Sequence, residues 1–224
     1  MNAAELTGQA RSHIRDIAAP PCHLHGDAVA AFMAMRRAAE NDGLDLIAVS
    51  SFRDFDRQLL IWNAKWRGER VMNDAHGRPL DARHLADDAR VDAILLWSAL
   101  PGASRHHWGT DVDLIDRRAV PPTYRPELTA AEFGPGGPFA ALFEWLEAHA
   151  ARYGFFRPFR GVRSGVQPEP WHFSFAPVAE GARRALRPAV LKQALQGAAL
   201  EGKQAVIARL EELHHRFVER IDWP

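Results

Sequence analysis

The run Thr110-Asp111-Val112-Asp113-Leu114-Ile115 alternates polar and apolar residues with a period of two, the pattern of a strand with unlike faces. Asp111, Asp113 and Ile115 would share one face, with Val112 and Leu114 on the other. Such a strand needs a sheet with one side packed on a core and the other bordering a cleft. Asp113 can then look into that cleft while its apolar neighbours fill the core.

Two segments around this strand concentrate chemistry: Ser104-Arg105-His106-His107-Trp108-Gly109-Thr110-Asp111-Val112-Asp113, and later Glu169-Pro170-Trp171-His172. Together they offer imidazoles, a carboxylate donor and a separate glutamate. A catalytic zinc takes three protein ligands and keeps a fourth position open, and imidazole with carboxylate is a fitting donor set. A free carboxylate nearby can take a proton from attacking water and pass it to a leaving amine. Pro170 between Glu169 and His172 disfavours a helix, so this is not a His-Glu-x-x-His zinc helix.

The rest of the chain bounds the possibilities. Its 224 residues suit one generous domain or a domain with a helical appendage, and 47% hydrophobic content supports a real core. Formal net charge is zero, from 28 basic and 28 acidic residues, which gives no global steering toward nucleic acid or anionic membranes. A single cysteine, Cys22, excludes an internal disulfide and a cysteine zinc cluster. No apolar run approaches the roughly 18–20 residues of a membrane span. The first residues show no basic start followed by an apolar run, so the chain reads as cytoplasmic, or periplasmic if a leader has been removed.

Periodicity predicts helices over 3–16, 27–41, 54–66, 91–100 and 139–151, and strands over 44–51, 110–115 and 171–175. Residues 68–85 and the Pro/Gly-rich 116–138 read as loops, and the tail after Pro177 reads as two or three helices. This divides the chain into an N-terminal helix and linker (1–24), a catalytic domain (25–177) and a C-terminal helical extension (178–224). The extension is expected to pack on the domain or mediate self-association.

The pattern Ser-x-His-x-x-Gly-x-x-x-Asp, followed by Glu-x-x-His with a tryptophan before the histidine, resembles the D-alanyl-D-alanine carboxypeptidases. These group with the vancomycin-resistance peptidases, lysostaphin-type enzymes and the hedgehog signalling domain. Ser51-Phe52-Arg53-Asp54-Phe55-Asp56-Arg57-Gln58 is similar to the family's Tyr-Arg-Ser-x-x-x-Gln segment, so the likeness runs in order over about residues 25–177. The resemblance implies an α+β fold in which helices flank a small, mostly antiparallel sheet carrying one zinc ion. It implies that His106, Asp113 and His172 bind that zinc, that Glu169 is the general base, and that Arg53 stabilises the oxyanion. Ser104 and Gln58 correspond to substrate-contacting positions. Asp111 stands where the family has a small residue; it is expected to back a ligand histidine or to form a negative wall of the substrate pocket.

The implied reaction is removal of a C-terminal D-alanine from a peptidoglycan stem peptide. These motifs do not separate a D,D- from an L,D-carboxypeptidase. Two other readings compete: an endopeptidase cutting L-Ala-D-Glu, and a hedgehog-like zinc-binding module without catalysis.

Overall fold

The structure is a computed structural model that describes residues Met1–Pro224. The chain begins with α1 (Ala3–Leu6), β1 (Ile14–Ala18), β2 (Pro21–His25), α2 (Gly26–Asn41), β3 (Leu46–Ser50) and α3 (Phe55–Trp66). Two minimal strands, β4 (Met72–Asn73) and β5 (Pro79–Leu80), precede α4 (Asp87–Leu95). Then come β6 (Asp111–Asp116), α5 (Ala130–Phe133), α6 (Ala140–His149), β7 (Phe155–Phe156) and β8 (His172–Phe175). The tail forms α7 (Ala176–Ala185), α8 (Pro188–Gln196), α9 (Lys203–Ala208) and α10 (Leu210–His214).

The central sheet has the order β3-β6-β8-β7, every neighbour antiparallel. The expected α+β class and antiparallel sheet are therefore present. As the second strand in that order, β6 is paired along both edges, by β3 and β8, and all six of its residues are buried. Its apolar face, Val112 and Leu114, packs with Phe32, Met35, Leu46 and Leu146 from α2, β3 and α6. Ile115, on the carboxylate face, joins a separate small cluster with Phe133, Phe139 and Trp171.

Two expectations are corrected. The helix expected over 3–16 stops at Leu6, closed at its start by an Asn2–Glu5 capping box. Residues 14–18 are instead a strand paired with β2, with Ala18 opposite Pro21 across a tight turn. The tail contains four α-helices where two or three were expected, and it packs on the preceding domain, one of the two arrangements expected of it. Leu191, Leu195, Val206, Leu210 and Leu213 share the largest core cluster with Trp62, Trp66, Ile94 and Leu95 of α3 and α4.

Candidate metal centre and active site

Antiparallel register builds the site. Asp113 on β6 lies opposite His172 on β8, and Asp111 lies opposite Ser174. Side chains of directly opposed residues meet across such a pair, so two carboxylates converge on one imidazole. His172 Nδ1 lies 3.0 Å from Asp113 Oδ1 and 3.4 Å from Glu169 Oε2. The third donor, His106, comes from the short 3₁₀ turn Arg105–Trp108 that leads into β6. Its Nε2 stands 3.4 Å from Asp113 Oδ2.

Gly109 makes that turn possible. Its φ of +65° lies in the left-handed region, and a Cβ there would sit 2.3 Å from Ile14 Cδ1 and 2.7 Å from His25 N. The glycine of the motif is thus needed both for the turn and for the close approach of the β1–β2 hairpin.

The donors fit a cation. His106, Asp113 and His172 are buried and offer ligand atoms that all lie within 4.8 Å of one another. His106 donates Nδ1–H to Ser51 O at 2.8 Å, so Nε2 is a bare lone pair facing the Asp113 carboxylate. Two buried lone-pair atoms at that separation repel unless a proton or metal ion lies between them. Burial opposes a charge on His172, yet its hydrogen bonds to Asp111 and Asp113 raise its pKa to about 10. The pocket favours positive charge at the place where these groups meet.

Around the donors lies a cleft of about 860 Å³, large enough for a short peptide. Glu169, Arg53, Ser104 and Trp171 all line it. Burial, with Asp113 adding to the effect, raises the Glu169 pKa to about 7, suited to exchanging a proton near neutrality. Arg53 is held by two side chains, Nη1 donating to Gln58 Oε1 at 2.8 Å and Nη2 to Ser50 Oγ at 3.0 Å. Burial pulls its pKa down, while Asp113 and Glu169 favour its charge.

Two substrate-contacting expectations are corrected. Gln58 is fully buried and does not line the cleft; its amide donates to Ala99 O at 2.7 Å and its oxygen receives Arg53. It therefore orients Arg53 from behind. Asp111 is also fully buried, enclosed by Arg105, Thr110, Ser174 and His172, so it is no wall of the pocket. Ser104 does line the cleft, and its hydroxyl has no hydrogen-bond partner within the chain.

Sequence reasoning passed over three residues. Lys65 and Arg70 line the same cleft, and neither takes part in an ion pair. Lys65 sits seven residues after Gln58 on α3, two helical turns along one face, which was the available signal. His107 is the third. Its Nδ1 donates to Arg53 O at 2.6 Å and its Nε2 accepts from Gly102 N at 3.1 Å, which ties the Arg53 loop to the metal-ligand turn.

That double backbone contact admits only a neutral ring, and burial lowers the His107 pKa from 6.5 to about 3. Below about 6.5 the unfolded chain takes a proton that the folded chain refuses, so stability falls as pH drops from about 6.5 toward 3. The expected loss is on the order of a few kcal/mol. Thermal melts of chelator-treated protein at neutral pH and near pH 4 would measure it. The His107→Gln variant should show a shallower decline, and an equally steep one would refute the assignment.

Residues 21–178 match the family model described as VanY: D-alanyl-D-alanine carboxypeptidase. An uncharacterised protein of Haemophilus influenzae is 45% identical over 100 residues, 42% of this chain and 67% of its own length. Among solved structures, VanYB in complex with D-Alanine-D-Alanine has a TM-score of 0.54 at 19% identity, covering 85% of this chain and 92% of that one. A mutant of the vancomycin-resistance D,D-pentapeptidase VanY in complex with Zn(II) gives 0.52 at 19% identity, over 86% and 88%. At such identity these two likenesses speak for the fold.

Proposed function

The chain belongs to the VanY family of D-alanyl-D-alanine carboxypeptidases, and we propose that it is a zinc-dependent carboxypeptidase removing C-terminal D-alanine from peptidoglycan stem peptides. The observation that carries this reading is the convergence of His106, Asp113 and His172 on one point of a cleft that Glu169 and Arg53 also line. His106 Nε2, His172 Nδ1 and an Asp113 oxygen would hold the ion. Zinc there supplies Lewis-acid polarisation of a carbonyl oxygen and of water.

The chain's own groups divide the remaining work. Glu169, whose pKa burial raises, accepts a proton from the attacking water and returns it to the departing amine of D-alanine. Arg53, fixed by Gln58 and Ser50, directs its positive charge at the oxygen that becomes negative as the carbonyl carbon turns tetrahedral. The unpartnered Ser104 hydroxyl, which lines the cleft, would donate to the substrate's terminal carboxylate.

A carboxypeptidase must also recognise a free carboxylate by charge. Lys65 and Arg70, cations in the cleft without acidic partners, are suited to that role. Lys65→Met is expected to raise KM about tenfold with kcat nearly unchanged, equivalent to losing about one charge-assisted contact. Steady-state kinetics on a stem peptide would measure this, and a variant with unaltered KM would remove Lys65 from substrate recognition.

The deciding experiment incubates zinc-loaded protein with stem tripeptide, tetrapeptide and pentapeptide and follows released D-alanine by mass spectrometry. Release from pentapeptide alone makes the enzyme a D,D-carboxypeptidase; release from tetrapeptide makes it an L,D-enzyme. No release from any of them, with zinc confirmed bound, overturns the carboxypeptidase reading.

A further inference from the structure

Asp111 is the residue of the metal-site segment that proton transfer and substrate binding leave unexplained. Its carboxylate is fully buried and saturated. Oδ1 receives Arg105 Nε at 2.8 Å and faces His172 Nε2 at 2.9 Å. Oδ2 accepts Ser174 Oγ at 2.9 Å and also the Thr110 hydroxyl. Arg105 is itself buried, its Nη2 donating to Ser174 Oγ at 2.6 Å and its guanidinium stacked 4.8 Å from the Trp108 ring. Nη1 of Arg105 has no hydrogen-bond partner.

Such a pair is weak evidence for stability. Removing two charges from water costs several kcal/mol per ion, and well-packed apolar residues often serve the fold as well or better. What sets this pair apart is its far end. With both carboxylate oxygens taken on two sides, Asp111 cannot turn, and it fixes the His172 ring in the tautomer that carries its proton on Nε2. Nδ1 is then the atom turned toward Asp113, 3.0 Å away. Asp111 reaches the ring because β6 and β8 place it beside the Asp113–His172 pair, one two-residue step along the same face.

We propose that Arg105 and Asp111, closed by Thr110 and Ser174, form a positioning unit that presents His172 Nδ1 to the zinc ion. The inference rests on the zinc reading of the site. Hydrogen-bonded partners behind a ligand histidine typically account for 10–100-fold in metal affinity.

The test measures zinc affinity by chelator competition, together with the melting temperature of the zinc-free protein. Asp111→Ala is expected to weaken zinc binding by about 10–100-fold. Asp111→Asn, which keeps an oxygen for Nε2–H, should recover part of that loss. Because Asp111→Ala strands the Arg105 charge and could unfold the chain, the decisive variant is Arg105→Met with Asp111→Leu. It replaces the whole pair by apolar groups, so it should fold and still show the loss of zinc affinity. Wild-type affinity in that double variant, with only the melting temperature altered, would make the pair purely structural and overturn the proposal. An unmodified chain that binds no zinc in the same assay would instead remove the zinc reading, and this inference with it.

Discussion

Glu169→Gln is expected to lower D-alanine release by at least about 100-fold while zinc content and fold stay as they were. The substitution conserves shape and removes the basic oxygen. Glu169 reaches the cleft from the stretch just before β8, where its backbone N–H bonds Phe159 O at 3.0 Å, so the side chain is placed by backbone pairing and not by its own charge. Burial raises its pKa in the metal-free site, the direction that suits a group which must both take and return a proton. The glutamine can neither take nor return a proton. Turnover on a stem peptide and zinc stoichiometry, measured on the same preparation, check the prediction. A variant retaining activity within a few-fold of the parent would mean that Glu169 is not the base. The pair of readouts also addresses the hedgehog-like alternative, since a pure binding module would show no turnover to lose.

The parts of the site legible in the sequence were those whose residues lie together along the chain. The 110–115 alternation became β6, the 171–175 run became β8, and the pattern of histidine, aspartate and glutamate fell in the cleft that those strands border. What could not be read was which face of each residue another element would cover. Gln58 matched a substrate-facing expectation, and Asp111 left two open, a pocket wall or a partner of a ligand histidine; both are fully buried, Gln58 against Arg53 and Asp111 against His172. Nothing local distinguishes a polar side chain in front of a site from one behind it. The same reason hid β1, for residues 14–18 are a strand only because β2 folds back on them. Lys65 and Arg70 passed as ordinary helix and loop cations until tertiary packing brought them to the cleft.

Deleting residues 178–224 is expected to abolish cooperative folding, although the sequence reads this segment as an extension of a catalytic domain. The helices of the tail cover the apolar face of α3 and α4. Without them Trp62, Trp66, Val91 and Ile94 would face water, at about 1.5–3 kcal/mol for each large side chain. Four such losses, about 6–12 kcal/mol together, are comparable to the roughly 5–15 kcal/mol that holds a typical domain together. Polar contacts cross the same boundary: Trp62 Nε1 donates to Glu201 O at 3.0 Å, and Asn63 binds both Ala199 O and Glu201 N. Function would suffer as well, because Leu213, Phe217 and Val218 form part of the cleft wall. A melting curve of residues 1–177 checks this, and a cooperative transition within about 5 °C of the full chain would refute it. Gly202 gives a milder test of the same interface. Its φ is +69°, and a Cβ there would stand 2.1 Å from Trp66 Cη2, so Gly202→Ala must displace a buried indole ring or the turn before α9. That variant is expected to lose on the order of 1–3 kcal/mol, the usual result of overpacking a core. Its melting temperature, read beside that of the truncated chain, would show whether the tail belongs to the folding unit or rests on one that is already complete.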